Sequence, residues 1–476
     1  MNSEAESGLE ATLSRQLRST RERLGAMLGR SNEALPPRVL RRTLRELQNV
    51  ADPMVSDVEG GRRAAGVARW YAQATPEQRQ DCWLLMSEQF PPDPTAIQAA
   101  HAAYDAARHT DEEARAEVRL RKAFASPRTR LLQRFAAFPD GVRFLVDMRA
   151  ELLPRLKQEK RLLALDAELE DLFSTWFDVG FLELRRIDWH SPASLIEKLI
   201  KYEAVHDIRS WADAKNRLDE DRRCYGFFHP RLPGEPLIFV EVALLKSMAG
   251  SITPLLDEEA EPADLGRATT AIFYSISNTQ PGLKGVSFGD SLIKRVVEAL
   301  QHEFPQLKVF ATLSPIPGLR PWLGRQADAL LQAMPARARQ ALARQLGQDE
   351  VAAPLLLKAL EGVATLDEKS PARRWLLASA ARYLGHEQAE DSRPRDAVAR
   401  FHLANGARIE RLNWLADPSP KGMRQSYGLM VNYLYDLKRL DKHRAQLAQG
   451  KVPVAGAVES LQDGWFSNPQ DRRQSP

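Results

Sequence analysis

The sequence predicts an α+β protein in two parts, an all-helical N-terminal bundle followed by an α/β domain. Three observations carry that expectation. The chain has 476 residues, too many for one ordinary hydrophobic core. Up to about residue 185 its apolar residues recur at helical spacing, and its prolines fall where helices start and stop. From Thr269 to Leu323 the pattern changes to strand, glycine loop, helix and strand.

In the first half, Leu9, Leu13, Leu17, Leu24 and Leu28 mark one face of an opening helix, and Pro36 and Pro37 introduce the next. Thr75, Pro76 and Gln78 combine a capping box with proline at the first helical position. Pro91 and Pro92 close that helix, Pro94 opens a long one, and Ser126-Pro127 and Pro139–Gly141 punctuate the following two. A last helix is expected over residues 161–177. No strand pattern of useful length precedes residue 222, so residues 1–189 read as a helical bundle domain. Trp70, Trp83 and Trp176 read as core aromatics, since tryptophan at helical spacing is more often packing than a ligand platform.

Near Ile187–Pro192 the composition changes, and the second domain, 190–476, is placed after it. Ser191 and Pro192 read as the cap of a helix from Ala193 to Tyr202. CYGFFH and PLIFVEVAL follow as strands joined by a hairpin-like turn. In the central stretch AIFYSIS is a strand, and Leu292, Ile293, Val296, Val297 and Leu300 form one helical stripe. A second strand, Leu307–Leu313, runs into Ser314 and the rigid turn Pro315–Gly318. Four helices over about 324–390 read as an insertion, residues 396–404 as strand or short turn, and the polar end after about 466 as disordered.

The loop Lys284–Asp290 is the one local feature with ligand chemistry. Gly285 and Gly289 let successive backbone N–H groups point into one concavity, and the helix behind adds its own unpaired N–H groups, which suits a phosphate. Spacing alone leaves this even with a plain strand-to-helix turn. The loop is neither a Walker motif nor a dinucleotide fingerprint.

Composition narrows the field. Hydrophobic residues at 43% and charged residues at 27% are globular proportions. A net charge of +4 with interspersed signs makes no case for nucleic acid. Two cysteines, Cys82 and Cys224, build neither a zinc cluster nor a disulfide framework. No apolar run reaches membrane-spanning length, and Glu4, Glu6 and Glu10 argue against a leader, so a cytoplasmic protein is expected.

The segments SISNTQPGLKGVSFG (275–289), LIKRVV (292–297) and TLSPIPG (312–318) together resemble the malonyl-CoA decarboxylase family. RFHLANGA (400–407), NWLAD (413–417), GLMVNY (428–433) and the earlier RRCYGFFH (222–229) are similar to it in the same order. The resemblance implies a catalytic domain of the acyl-CoA N-acyltransferase (GNAT) fold, with malonyl-CoA as substrate and no separate cofactor or metal. It further implies a homo-oligomer, dimer or tetramer, with no nucleic-acid or membrane partner.

Read by spacing, Ser314 is a turn serine and His402 a core histidine. The resemblance instead implies that Ser314 meets the malonyl group and His402 delivers a proton. It also implies that coenzyme A lies along Lys284, Gly285, Val286, Ser287, Phe288, Gly289 and Asp290. Lys284 stays open between a phosphate contact and a solvated lysine, and Asp290 is more simply a helix cap. Ser287 stands where animal relatives are expected to carry an acid, which favours main-chain contacts in the loop. Two other functions share the features of this sequence: an acyltransferase on the same fold and a non-catalytic acyl-CoA sensor. Pairing of Ser314 with His402 counts against the sensor, which has no need of an acid.

Overall fold

The computed structural model describes residues 35–286, 292–389 and 392–466. The expected helix at Leu9–Leu28 and the polar tail lie outside the described residues. The chain separates into two compact units. One holds the described chain up to Phe181 with His229–Glu235 and the loop that begins at Gln280; the other holds the rest.

The first unit is built from α1 (Pro37–Ala51), α2 (Asp57–Gln73), α3 (Pro76–Glu88), α4 (Pro94–Ala107), α5 (Glu113–Ala123), α6 (Pro127–Phe135), α7 (Gly141–Leu152) and α8 (Leu163–Trp176). Proline stands at the start of four of them, where its missing N–H costs nothing. Thr75 and Gln78 form the expected reciprocal capping box on α3. Trp83, Phe135, Phe173 and Phe177 fill the core, and the Trp83 indole N–H donates to the Tyr71 hydroxyl at 2.9 Å. Trp70 and Trp176 are only half-buried.

The second unit is a sheet with helices on it. Its strands are β1 (Glu183–Ile187), β2 (Arg222–Phe228), β3 (Pro236–Leu245), β4 (Thr270–Asn278), β5 (Val309–Thr312), β6 (Ser314–Pro315), β7 (Arg408–Asn413) and β8 (Met430–Leu434). They run β1-β2-β3-β4-β5-β8-β6, with β7 also paired to β8. Only β4 and β5 are parallel among these pairs, and α11 (Leu292–Glu303) lies between them in sequence. Leu292, Ile293, Val296, Val297 and Leu300 are all buried, as their stripe predicts. The helices before it are α9 (Ala193–Tyr202) and α10 (Trp211–Arg217). Those after it are α12 (Leu319–Gln332), α13 (Ala336–Gln345), α14 (Ala353–Ala359), α15 (Pro371–His386), α16 (Ala397–Ala404), α17 (Pro420–Ser426), α18 (Leu440–Ala448) and α19 (Gly456–Glu459). α12 to α15 occupy the stretch where four helices are expected. No helix among the described residues is long and apolar enough to cross a membrane.

Three local expectations are corrected. Residues 183–187 form a strand although ELRRI has no apolar alternation. β1 is an edge strand pairing only with β2, and Ile187 is its one buried residue. Residues 397–404 form a helix, not a strand. Asp396 caps it by accepting from Val398 and Ala399 N–H, and Gly406 at φ +84° follows its end. Ser191 does not cap α9: its hydroxyl accepts from the Asp188 N–H at 3.1 Å instead.

Candidate active site

Strand alternation aims Thr312 and Ser314 at one face of the sheet, and Tyr433 in β8 and Tyr435 just past its end face the same way. Helix α16 supplies the histidine. Ala399, His402 and Leu403 are its buried residues, at i, i+3 and i+4, so the stripe that anchors the helix also carries the imidazole inward.

The bonds made there fix the direction of each proton. Ser314 Oγ donates to Thr312 Oγ1 at 2.8 Å, and Thr312 Oγ1 also accepts the Tyr433 N–H at 3.1 Å. With the serine proton committed, the 3.2 Å contact between Ser314 Oγ and His402 Nε2 has the imidazole as donor. His402 Nδ1 is then the acceptor of the 2.7 Å bond from the Tyr435 hydroxyl. The Tyr433 ring stacks on the imidazole at 4.7 Å and 26°. Burial pushes the His402 imidazole down to about 3, so at neutral pH it is uncharged. Among the described residues the buried Tyr433 hydroxyl has no hydrogen-bond partner.

The residues singled out in the sequence therefore divide. Ser314 and His402 are brought together. Lys284, Gly285 and Val286 belong to the first unit, while Ser287, Phe288, Gly289 and Asp290 lie outside the described residues. Lys284 is exposed and Val286 buried, and Gly285 takes φ +89°, a conformation that a side chain would strain. Just before it, a Cβ on Gly282 would stand 1.9 Å from the Val146 carbonyl oxygen, so only glycine fits against α7.

Sequence reasoning missed the side chains that hold these features. Arg149, 1% exposed, donates to the carbonyl oxygens of Gly282 at 2.9 Å and Lys284 at 2.8 Å. It also pairs with Asp166 and Glu170. Nothing in its helical neighbourhood announces that partner. Tyr435 and Thr312 carry no motif of their own, although the period of two places them with Ser314 and Tyr433. Asn405 Nδ2 donates to the Phe401 carbonyl at 2.8 Å, and Tyr427 ends α17 at φ +53° beneath the Arg320 guanidinium.

Comparison with known proteins bears on this arrangement. Residues 180–473 match the model of the malonyl-CoA decarboxylase C-terminal domain, and residues 90–177 match that of its N-terminal domain. The chain belongs to the malonyl-CoA decarboxylase family. Among solved members, the malonyl-CoA decarboxylase of Rhodopseudomonas palustris is 41% identical with a TM-score of 0.76, covering 88% of this chain and 99% of its own. That of Cupriavidus metallidurans is 42% identical with a TM-score of 0.72, covering 89% of this chain and 100% of its own. The mitochondrial malonyl-CoA decarboxylase of Mus musculus is 39% identical over 348 residues, 68% of each chain.

Proposed function

We propose that this member of the malonyl-CoA decarboxylase family converts malonyl-CoA to acetyl-CoA and carbon dioxide, with Ser314 and His402 as the catalytic pair. One observation carries the assignment of the pair: Ser314 Oγ and His402 Nε2 stand 3.2 Å apart in a buried polar cluster.

The bond between the carboxylate carbon and the α-carbon breaks, and its electron pair moves into the thioester carbonyl as an enolate. Because the substrate carries its own electron sink, the reaction asks the protein for an oxyanion donor, an oriented carboxylate and one proton. An aimed donor contributes about 10²–10³ in rate and a general acid about 10²–10⁴. Ser314 meets the malonyl group. His402 gives its Nε2 proton to the α-carbon and acetyl-CoA forms.

A neutral imidazole is a poor acid, since losing Nε2–H would leave an imidazolate. The malonyl carboxylate beside the ring offsets the desolvation that keeps His402 neutral, so His402 takes a second proton on Nδ1 as substrate binds, and the Tyr435 hydroxyl turns from donor to acceptor. The loop Lys284–Asp290 serves coenzyme A through its main-chain N–H groups, and no further cofactor takes part. The protein works as a homo-oligomer.

The test is to supply malonyl-CoA alone. A decarboxylase releases carbon dioxide and acetyl-CoA with no acceptor present. Absence of turnover until an amine is added would replace the proposal by an acyltransferase, and binding without either reaction would make the chain a sensor.

A further inference from the structure

Helix α18, the start of β7 and the segment after Gly450 enclose a polar cleft of about 210 Å³ in the second unit. Its lining is lopsided in charge: Arg408, Arg439, Lys442 and Lys451 stand against a single carboxylate, Glu459. Arg408 Nε is held by Glu410 at 2.6 Å and Arg439 Nε by Asp436 at 3.5 Å, so each keeps its terminal nitrogens for another acceptor. Among the described residues Lys442 and Lys451 make no ion pair or hydrogen bond through their ammonium groups.

The floor is His443, 5% exposed. Its Nδ1 lies 2.9 Å from the Gly406 carbonyl oxygen, which can only accept, so Nδ1 carries the proton of that bond. Nε2 is the ring nitrogen left for the cleft. The segment after Gly450 is pinned in place: Ile409 N–H donates to the Pro453 carbonyl and Ala455 N–H to that of Ile409. Cations from a helix, a strand and a pinned segment are thus gathered around one small volume, against their mutual repulsion.

We propose that this cleft binds a compact, multiply charged oxyanion of the phosphate type. Guanidinium forks and ammonium groups recognise such an anion by charge-assisted hydrogen bonds. About 210 Å³ accommodates one phosphoryl group and little more. The phosphate has two sources, free in solution or carried on coenzyme A, and only the second rests on the proposed activity.

The experiment titrates the full chain with inorganic phosphate by calorimetry, with chloride matched for ionic strength, and repeats it on the double variant Lys442→Ala, Lys451→Ala. Both side chains are exposed and outside the Ser314–His402 cluster, so the variant keeps its fold. Phosphate should bind better than chloride, and the double variant should bind it about tenfold or more weakly. Coenzyme A and its 3′-dephospho form are the further arms. Weaker binding of coenzyme A alone by the variant would identify its 3′-phosphate as the occupant, and unchanged binding of both would make the site one for free phosphate. Phosphate no better than chloride, or equal phosphate binding by the two proteins, would overturn the proposal even if malonyl-CoA is turned over as expected.

Discussion

Among the described residues His402 is held by hydroxyls and aromatic rings, with no carboxylate hydrogen-bonded to it. That has a consequence for stability. Its folded-state pKa is depressed to about 3 from an ordinary 6.5, so between those values the unfolded chain binds one proton more than the folded one. The contribution is present above pH 6.5 and is lost as pH falls toward 3, at up to about 1.4 kcal/mol per pH unit. His402→Asn should therefore flatten the acid limb of a stability-against-pH curve by up to that slope, measured by denaturant unfolding. An unchanged slope would mean that His402 is not a neutral buried group. Tyr435 acts through His402 by donating to Nδ1 and leaving the proton on Nε2. Tyr435→Phe should lower kcat about tenfold with KM nearly unchanged and shift the pH profile of kcat. A purely structural tyrosine would change stability and leave that profile where it was.

At the scale of elements, Ser314 and His402 meet because two short pieces of backbone are tied to each other. Asp396 caps α16 and also accepts the Gly318 N–H at 3.4 Å and the Tyr383 hydroxyl at 3.3 Å. The turn after Ser314 and the start of the His402 helix thus share one carboxylate. A Cβ on Gly318 would stand 2.0 Å from the Tyr383 oxygen, so Gly318→Ala should cost about 1–3 kcal/mol of stability and reduce kcat. Adding Tyr383→Phe removes the clashing oxygen and should restore part of both. If the second substitution only worsens the first, the shared anchor is not what positions the pair.

This is also where the sequence was most and least readable. The stripe on α11 and the Thr75 capping box follow from local rules and need no partner to be seen. The helix α16 carried its own signals, Asp396 before and Asn405-Gly406 after, yet eight apolar-rich residues look as much like a strand as a helix. β1 could not be read because an edge strand has no need to bury alternate residues. Tyr435 and Arg149 were invisible for another reason. Their partners lie in distant segments, at His402 in one case and at Gly282 and Lys284 in the other. The functional pair itself came from resemblance, since spacing alone favours a turn serine and a core histidine.

For the whole molecule, the two units bring different duties. The described residues of the second contain the Ser314–His402 cluster, and the first contains Arg149 and the carbonyls of Gly282 and Lys284 that it holds. Arg149→Met would leave the buried Gly282 carbonyl oxygen and the Asp166 carboxylate without their donor, and a loss of about 1–3 kcal/mol is expected in thermal or denaturant unfolding. If the Lys284–Asp290 loop serves coenzyme A, the same variant weakens its binding, which calorimetry would read. Homo-oligomerisation is checked by sedimentation at micromolar concentration, where a monomer would refute it. The central claim is that one reaction uses both members of the pair, and it is tested by the rate of carbon dioxide release from malonyl-CoA. Ser314→Ala and His402→Asn should each lower kcat by about 10²-fold or more, and the double variant should fall by less than the product of the two. Full activity in either single variant, or strictly multiplicative losses in the double, would contradict it.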